Sequence, residues 1–178
     1  GGASYPATGS GGDGYRLAAA VGHTIVPPRP ALVPLETGGN LAARLQGLAL
    51  RGVTVRLHAA GRARASRSGD LLFTHFGLSG PAVLALSREA VDAQRAGQEV
   101  ALSIDLFPDL DERALDERLR AALDAHGRQQ AGNVLAGLLP RRLAMLACTE
   151  AGVAPTKPAH QVTAAERARL RTWLQGIR

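Results

Sequence analysis

The sequence predicts an α+β chain in three stretches: a glycine-rich entry into a short helix, a β-rich middle and an all-helical end. Three observations carry this. Six glycines fall within the first 14 residues and are followed by the helix-forming run DGYRLAAAVG. The segments VTVRL and EVALSIDLF alternate apolar and polar residues with the period of a half-buried strand. Beyond Pro108, Leu115, Leu119 and Leu123 recur at every fourth position, which lines one face of a helix.

In chain order, Asp13 opens the first helix, Leu17 and Val21 lie one turn apart on it, and Gly22 stands where a helix stop is expected. His23 to Leu35 is rich in β-formers but carries four prolines. It is therefore expected as an extended connector or edge strand, a passage between domains. VTVRL follows Gly52 as a strand, and RARASRSGDLLFT reads as two strands about a turn at Ser68-Gly69-Asp70. After HFGLSGP, the run AVLALSREAVDAQ has helical spacing. Asp109 or Asp111 is placed to cap ERALDERLRAALDAH. Further helices are expected on either side of Pro140, and Thr163 with Glu166 forms a capping box ahead of RARLRTWLQGI. The domain division read from this is 1–30, 31–106 and 107–178.

A chain of 178 residues with 46% hydrophobic content has enough apolar side chain for a core. Its apolar runs are broken well before the roughly 18 residues that cross a bilayer, and no signal peptide is recognisable, so a cytoplasmic protein is expected. The single cysteine, Cys148, excludes an internal disulfide framework and a multi-cysteine metal site, and reads as a buried thiol. A net charge of +6 is compatible with nucleic acid, but the arginines are interspersed with carboxylates and only six aromatic residues are present for bases to stack on. Nucleic acid is therefore not the expected partner. The lone methionine is Met145, and the chain opens on Gly1-Gly2 directly before a motif. A piece of a longer polypeptide is the expectation, although removal of an initiator before Gly1 gives the same start.

The glycine-rich entry is the first segment able to carry chemistry. Backbone N–H groups at a helix N-terminus attract anions and electron-rich rings, and glycines allow a ligand to approach the backbone closely. Asp13 is placed either to cap the helix or to accept a hydrogen bond from a ligand hydroxyl. The spacing of Gly9, Gly11, Gly12 and Gly14 is not G-x-G-x-x-G, and no Lys-Ser/Thr pair completes a P-loop. On physical grounds alone this is a structural loop at a helix start, compatible with anion binding.

GGASYPATGSGGDGYRLAAAVGHTIVPPRPALVPL resembles a segment of the aminoacetone oxidase-like and bile-acid-reductase-like family of FAD-dependent oxidoreductases, and LLFTHFGLSGPAVLALSR resembles the second signature of that family. The Gly-Asp-Gly step before a helix is also similar to the corresponding part of fumarate reductase-type flavoproteins. The resemblance implies a chain that starts as a remnant of a Rossmann-type FAD-binding domain, crosses into a β-barrel-like domain, and carries an all-helical domain inserted in that barrel. It also implies that Gly1, Gly2, Thr8, Gly9, Ser10, Gly12, Asp13 and Gly14 lie at the flavin. Thr74, His75, Gly77 and Ser79 would face the region of the isoalloxazine ring or substrate, with His75 the weak catalytic candidate. The cofactor implied is FAD, with NAD(P)H or oxygen exchanging electrons with it. The partners implied are a small-molecule substrate and the rest of the FAD-binding domain, with no membrane involved.

The family's G-x-G-x-x-G after a first strand is missing from this sequence, as is its closing FAD-contacting segment. The chain by itself is accordingly expected to bind FAD weakly or not at all, and to be inactive alone. A non-catalytic substrate-covering or interaction module is the alternative reading, and an Arg-rich nucleic-acid-binding domain is the third. Ser79 with His75 does not make a hydrolase, because Pro81 stands where the nucleophile elbow needs glycine; Ser79 is expected instead to cap the following helix. His23, His58, His126 and His160 have no metal-type spacing, so no metal is expected. Trp173 reads as a core anchor of the last helix, and Arg141-Arg142 as a solvated helix edge.

Overall fold

In the segment from Val53 to Ala59 every second side chain is apolar, and Val53, Val55, Leu57 and Ala59 are all buried. That alternation fixes which face of strand β2 (Ala49–Ala59) meets the core. A computed structural model of the protein describes residues 2–178, so the expectation for Gly1 lies outside the described residues. The chain divides into two units, Gly1–Pro30 and Ala31–Arg178.

The second unit is built on a curled, antiparallel, five-stranded half-barrel. Its strands are β1 (Leu35–Glu36), β2, β3 (Arg62–Phe73), β4 (Gly77–Ser79) and β5 (Val100–Asp105), in the order β1-β4-β3-β2-β5. The expected turn at Ser68-Gly69-Asp70 is not there. Arg62–Phe73 is one strand, and the hairpin turns instead at Ala60 and Gly61, both at positive φ (50° and 73°) as a two-residue turn requires. What marks Ser68-Gly69-Asp70 is a bulge in the facing strand. The register slips between Leu50 and Val53, and Gly52 N–H donates to the Asp70 carboxylate at 3.3 Å.

Helix α2 (Leu41–Arg44) and helix α3 (Pro81–Arg95) accompany the sheet, and α3 buries Ala82, Val83, Leu86 and Ala90 in the core that it shares with β2 and β3. Four helices follow β5: α4 (Glu112–Ala125), α5 (Ala131–Ala136), α6 (Arg141–Glu150) and α7 (Ala164–Leu174). The Asp111 side chain caps α4 by accepting from Ala114 N at 2.7 Å, and Leu115, Leu119 and Leu123 are its buried stripe, as the spacing predicts. The Thr163–Glu166 capping box is formed at α7. Leu106, Leu139 and Trp173 pack against both the sheet core and the helical core, which joins the two. After α7 the chain returns to the sheet, where Ile177 pairs with Ile104 through hydrogen bonds of 2.9 and 3.0 Å. No helix among the described residues is long and apolar enough to cross a membrane.

The first unit holds helix α1 (Asp13–Ala20), preceded by one 3-10 turn, Pro6–Thr8. The stop at Gly22 is as expected: its φ is +91°, its N–H donates to Ala19 O and that of His23 to Ala18 O. No residue of α1 is buried, and Leu17 and Val21 are 69% and 76% exposed.

Candidate functional site

The glycine-rich segment is an ordered loop. Gly12 N–H closes it by donating to Gly2 O at 3.1 Å, Thr8 donates from its N–H and hydroxyl to Tyr5 O, and the Thr8 and Ser10 hydroxyls lie 3.2 Å apart. Gly12 is the N-cap of α1, in the left-handed region at φ 78°, and no side chain caps the helix. This corrects the first of the two readings of Asp13, that it caps the helix. Asp13 is instead the first helical residue, where its charge is favourable to the helix dipole, and it pairs with Arg16. A Cβ added at Gly2, Gly9 or Gly11 would meet nothing within 4 Å, so this side of the loop is open backbone. Gly2, Thr8, Gly9, Ser10, Gly12, Asp13 and Gly14 thus belong to one small structural element.

The second motif is explained largely by packing. Gly77 lies so close to β1 that a Cβ would stand 2.1 Å from Leu35 O and 2.9 Å from Thr37 N. Gly80, at φ 96°, lies against β3, where a Cβ would be 2.8 Å from Asp70 O. Thr74 folds the turn between β3 and β4: its hydroxyl donates to Gly77 O at 2.9 Å and accepts from Gly77 N at 3.0 Å. Ser79 does not cap α3, contrary to expectation, because Gly80 takes the N-cap position and Pro81 supplies the first helical turn. Ser79 is half-buried and pairs with Leu72 in the sheet. His75 is exposed at the tip of the turn, its ring edge-on to Phe76 at 4.9 Å. His75 and Phe76 are both exposed, so this tip is open to a ligand.

Two concave sites and one polar row escaped sequence reasoning. An apolar cavity of about 260 Å³ opens between the β1 and β5 ends of the half-barrel, lined by Leu35, Phe73, Leu102, Ile104 and Ile177 with Glu36 at its rim. A shallower depression of about 340 Å³ lies between α2 and α6, with Arg44, Arg141 and Arg142 in its wall. On the face of β2 away from the core, Thr54 meets Ser68 at 2.8 Å, Arg56 meets Asp105 at 3.0 Å and His58 meets Ser103 at 2.9 Å. The polar beats of VTVRLH were the signal for that row, but partners arriving from two other strands could not be read from one. Among the described residues no group of His, Cys, Asp and Glu is placed to hold a metal. Cys148 is buried, and desolvation pushes its thiol up to about 11, which makes it a poor nucleophile.

Residues 29–178 match the family model for the HI0933-like protein barrel and H2TH domain. The chain belongs to the HI0933-like family. It is 39% identical over 143 residues to a ribosomal RNA dihydrouridine synthase of Escherichia coli, covering 80% of this chain and 33% of that protein. It is 32% identical over 149 residues to a ribosomal RNA dihydrouridine synthase of Haemophilus influenzae, with 82% and 33% covered. A 3-dehydro-bile acid delta(4,6)-reductase of Clostridium scindens is 29% identical over 144 residues, with 80% and 35% covered. The family resemblance drawn from the two motifs is borne out. The chain spans about a third of the length of these curated relatives.

Proposed function

We propose that this chain forms the barrel and helical part of a flavin-dependent oxidoreductase that reduces a carbon–carbon double bond. The observation that carries the reading is the family match over residues 29–178, joined to relatives named for a dihydrouridine synthase and a delta(4,6)-reductase. Both names describe saturation of a ring double bond. In this reading residues 1–30 are part of a Rossmann-type FAD-binding domain, residues 31–106 the barrel-like domain, and residues 107–178 a helical domain inserted in it.

The loop before α1 fits a flavin in two respects. Its helix start has no side-chain cap, and the Cβ positions of Gly9 and Gly11 face open space, so backbone can meet a flat electron-rich group directly. Gly1, Gly2, Thr8, Gly9, Ser10, Gly12, Asp13 and Gly14 are the residues that would hold it. FAD, when bound, would accept two electrons from a donor such as NAD(P)H and pass them to the substrate. Thr74, His75, Gly77 and Ser79 would lie near the substrate or the ring, with His75 carried on the turn that the Thr74–Gly77 contacts hold. Since a flavin is held along its whole length, the chain by itself would bind it weakly and be inactive alone.

Two of the relatives act, by name, on ribosomal RNA, and at 39% and 32% identity against 29% for the reductase they favour a uridine in RNA over a steroid as substrate, against the expectation that the interspersed arginines gave. The test is spectroscopic and chemical. The complete protein should carry flavin absorbance at about 450 nm, bleached by NAD(P)H and restored by uridine-containing RNA, while residues 1–178 alone remain colourless. A colourless complete protein, also after incubation with FAD, would sink the reading.

A further inference from the structure

Arg141 and Arg142 follow Pro140 and open helix α6, and the sequence read them as a solvated edge. Both are exposed, as that reading has it, and the structure adds what lies beside them. Helix α6 buries Leu143 and Leu146 in the core that also takes Ala42 and Leu45 of the α2 region, so the starts of α6 and the end of α2 are held together. Between them lies the depression of about 340 Å³, floored by Leu45 and Leu146, with Thr149 on its rim and Arg44, Arg141 and Arg142 around it.

The hydrogen bonding sorts the three arginines. Arg142 donates to Gln46 O at 2.9 Å and to Arg44 O, so it ends α2 by satisfying carbonyls that the short helix leaves over. Arg44 reaches Glu150 at 3.1 Å, with both side chains more than 40% exposed, a solvated pair that contributes little. Among the described residues Arg141 donates to a neutral group alone, Asn133 Oδ1, at 3.3 Å. Among the described residues, the three guanidiniums that line the depression meet one carboxylate, that of Glu150 beside Arg44. Guanidinium stays charged at any pH a cell experiences, so the charge of this depression calls for an anion as its counter-group.

We propose that this depression binds a phosphodiester of an RNA strand passing over the α2–α6 junction. The chemistry fits in three ways. Guanidinium presents paired donors to phosphate oxygens, Arg142 is held in place beforehand by its backbone bonds, and a shallow open site suits a polymer crossing it better than a small anion that needs enclosing. The inference rests on the RNA reading given above and deepens it by naming where the strand would be gripped away from the reacting base.

The test is binding of a roughly 12-nucleotide fluorescent oligouridylate to residues 1–178, followed by anisotropy between about 50 and 200 mM salt. Arg44→Gln with Arg141→Gln should weaken binding about tenfold at the lower salt and flatten the log–log salt slope by about 0.7, the contribution of one phosphate contact on a single strand. Arg142 is left in place because it holds α2. Thr149→Glu, which removes no arginine contact, should weaken binding similarly and guards against a double variant that fails to fold. Arg88→Gln with Arg113→Gln, two exposed arginines on other helices, removes the same charge and should change affinity less than twofold.

Failure of the wild-type chain to bind, or an equal loss in the control pair, would overturn the inference. So would complete displacement of the oligonucleotide by inorganic phosphate at matched ionic strength, which would mark a simple anion site. The flavin and reduction assay reads the function independently: a yellow, RNA-reducing complete protein whose depression variants bind RNA normally would leave the function standing and remove this site.

Discussion

Arg167 on α7 grips Asp116 on α4 with two parallel hydrogen bonds, Nε to Oδ1 at 2.9 Å and Nη2 to Oδ2 at 3.1 Å. The side chains are 17% and 27% exposed, so the pair is only partly screened. The Arg167 guanidinium, through this hydrogen bond, holds the Asp116 carboxyl below its ordinary value of 3.8. Asp116→Asn leaves Arg167 half-buried with a weaker partner and should cost about 1–3 kcal/mol, or roughly 2–12 °C in melting temperature. Because the folded-state pKa is lowered, the contribution is fully present above 3.8 and fades as pH falls below it. Thermal melts of wild type and variant at neutral and acid pH check both the size and the trend. Equal differences at both pH values would refute the ion-pair account.

Glu166 gives a second and wider pH window. Lys157 Nζ lies 2.8 Å from both of its carboxylate oxygens, and the N–H of Thr163 donates to Oε2 at 2.8 Å. The Lys157 hydrogen bond, and after it the Thr163 backbone, pull its pKa from 4.5 to about 2. The folded form thus gains from the carboxylate above 4.5, and that gain is lost progressively as pH falls toward 2. Glu166→Gln should lower the melting temperature by about 3 °C at neutral pH, as for loss of a cap worth about 1 kcal/mol. The difference should shrink through that window and vanish at its lower end; a constant offset would show that glutamine fails for steric reasons instead.

How far the sequence carries can be judged from the same elements. The α4 stripe, the Asp111 cap and the Thr163–Glu166 box were legible because each is a local pattern within one or two turns of helix. The β2–β3 hairpin was misplaced because its turn uses Ala60-Gly61, a weaker signal than Ser68-Gly69-Asp70, whose glycine instead faces a bulge formed 16 residues earlier at Leu50 to Val53. The motif HFGLSGP was legible as a signature, but the reason for its glycines was not. Leu35 O and Asp70 O, which crowd Gly77 and Gly80, come from two other strands. Likewise the arginine depression joins residue 44 to residues 141 and 142, a separation that no spacing rule spans.

The crowding at Gly77 makes a sharp prediction. A methyl group 2.1 Å from Leu35 O and 2.9 Å from Glu36 Cα and Thr37 N meets backbone on every side, so it cannot be relieved by a rotamer change. Strand β1 pairs with β4 through only two residues, Leu35 with Leu78 and Glu36 with Gly77. Gly77→Ala should therefore lift β1 off the sheet, costing about 3 kcal/mol and roughly 6–12 °C. Limited proteolysis should show new cleavage between residues 30 and 40. A variant that melts within a degree of wild type, with no new cleavage, would show that β1 is not held by this contact.

Cys148 supplies a test of the helical core that needs no substitution. Its side chain is fully buried among Ala144, Ala147, Leu170 and neighbours, and the cost of placing a thiolate there raises its pKa to about 11. At pH 8 the thiol is then both inaccessible and almost wholly protonated. A disulfide reagent such as Ellman's should leave the native chain unlabelled while releasing one equivalent per chain after denaturation, since the sequence holds one cysteine. Labelling should also track unfolding, because α6 and α7 must separate before the sulfur is reached. Rapid labelling under native conditions would mean that α6 opens on its own, and the depression that its first turn shares with α2 would then lack the fixed geometry required to grip a strand.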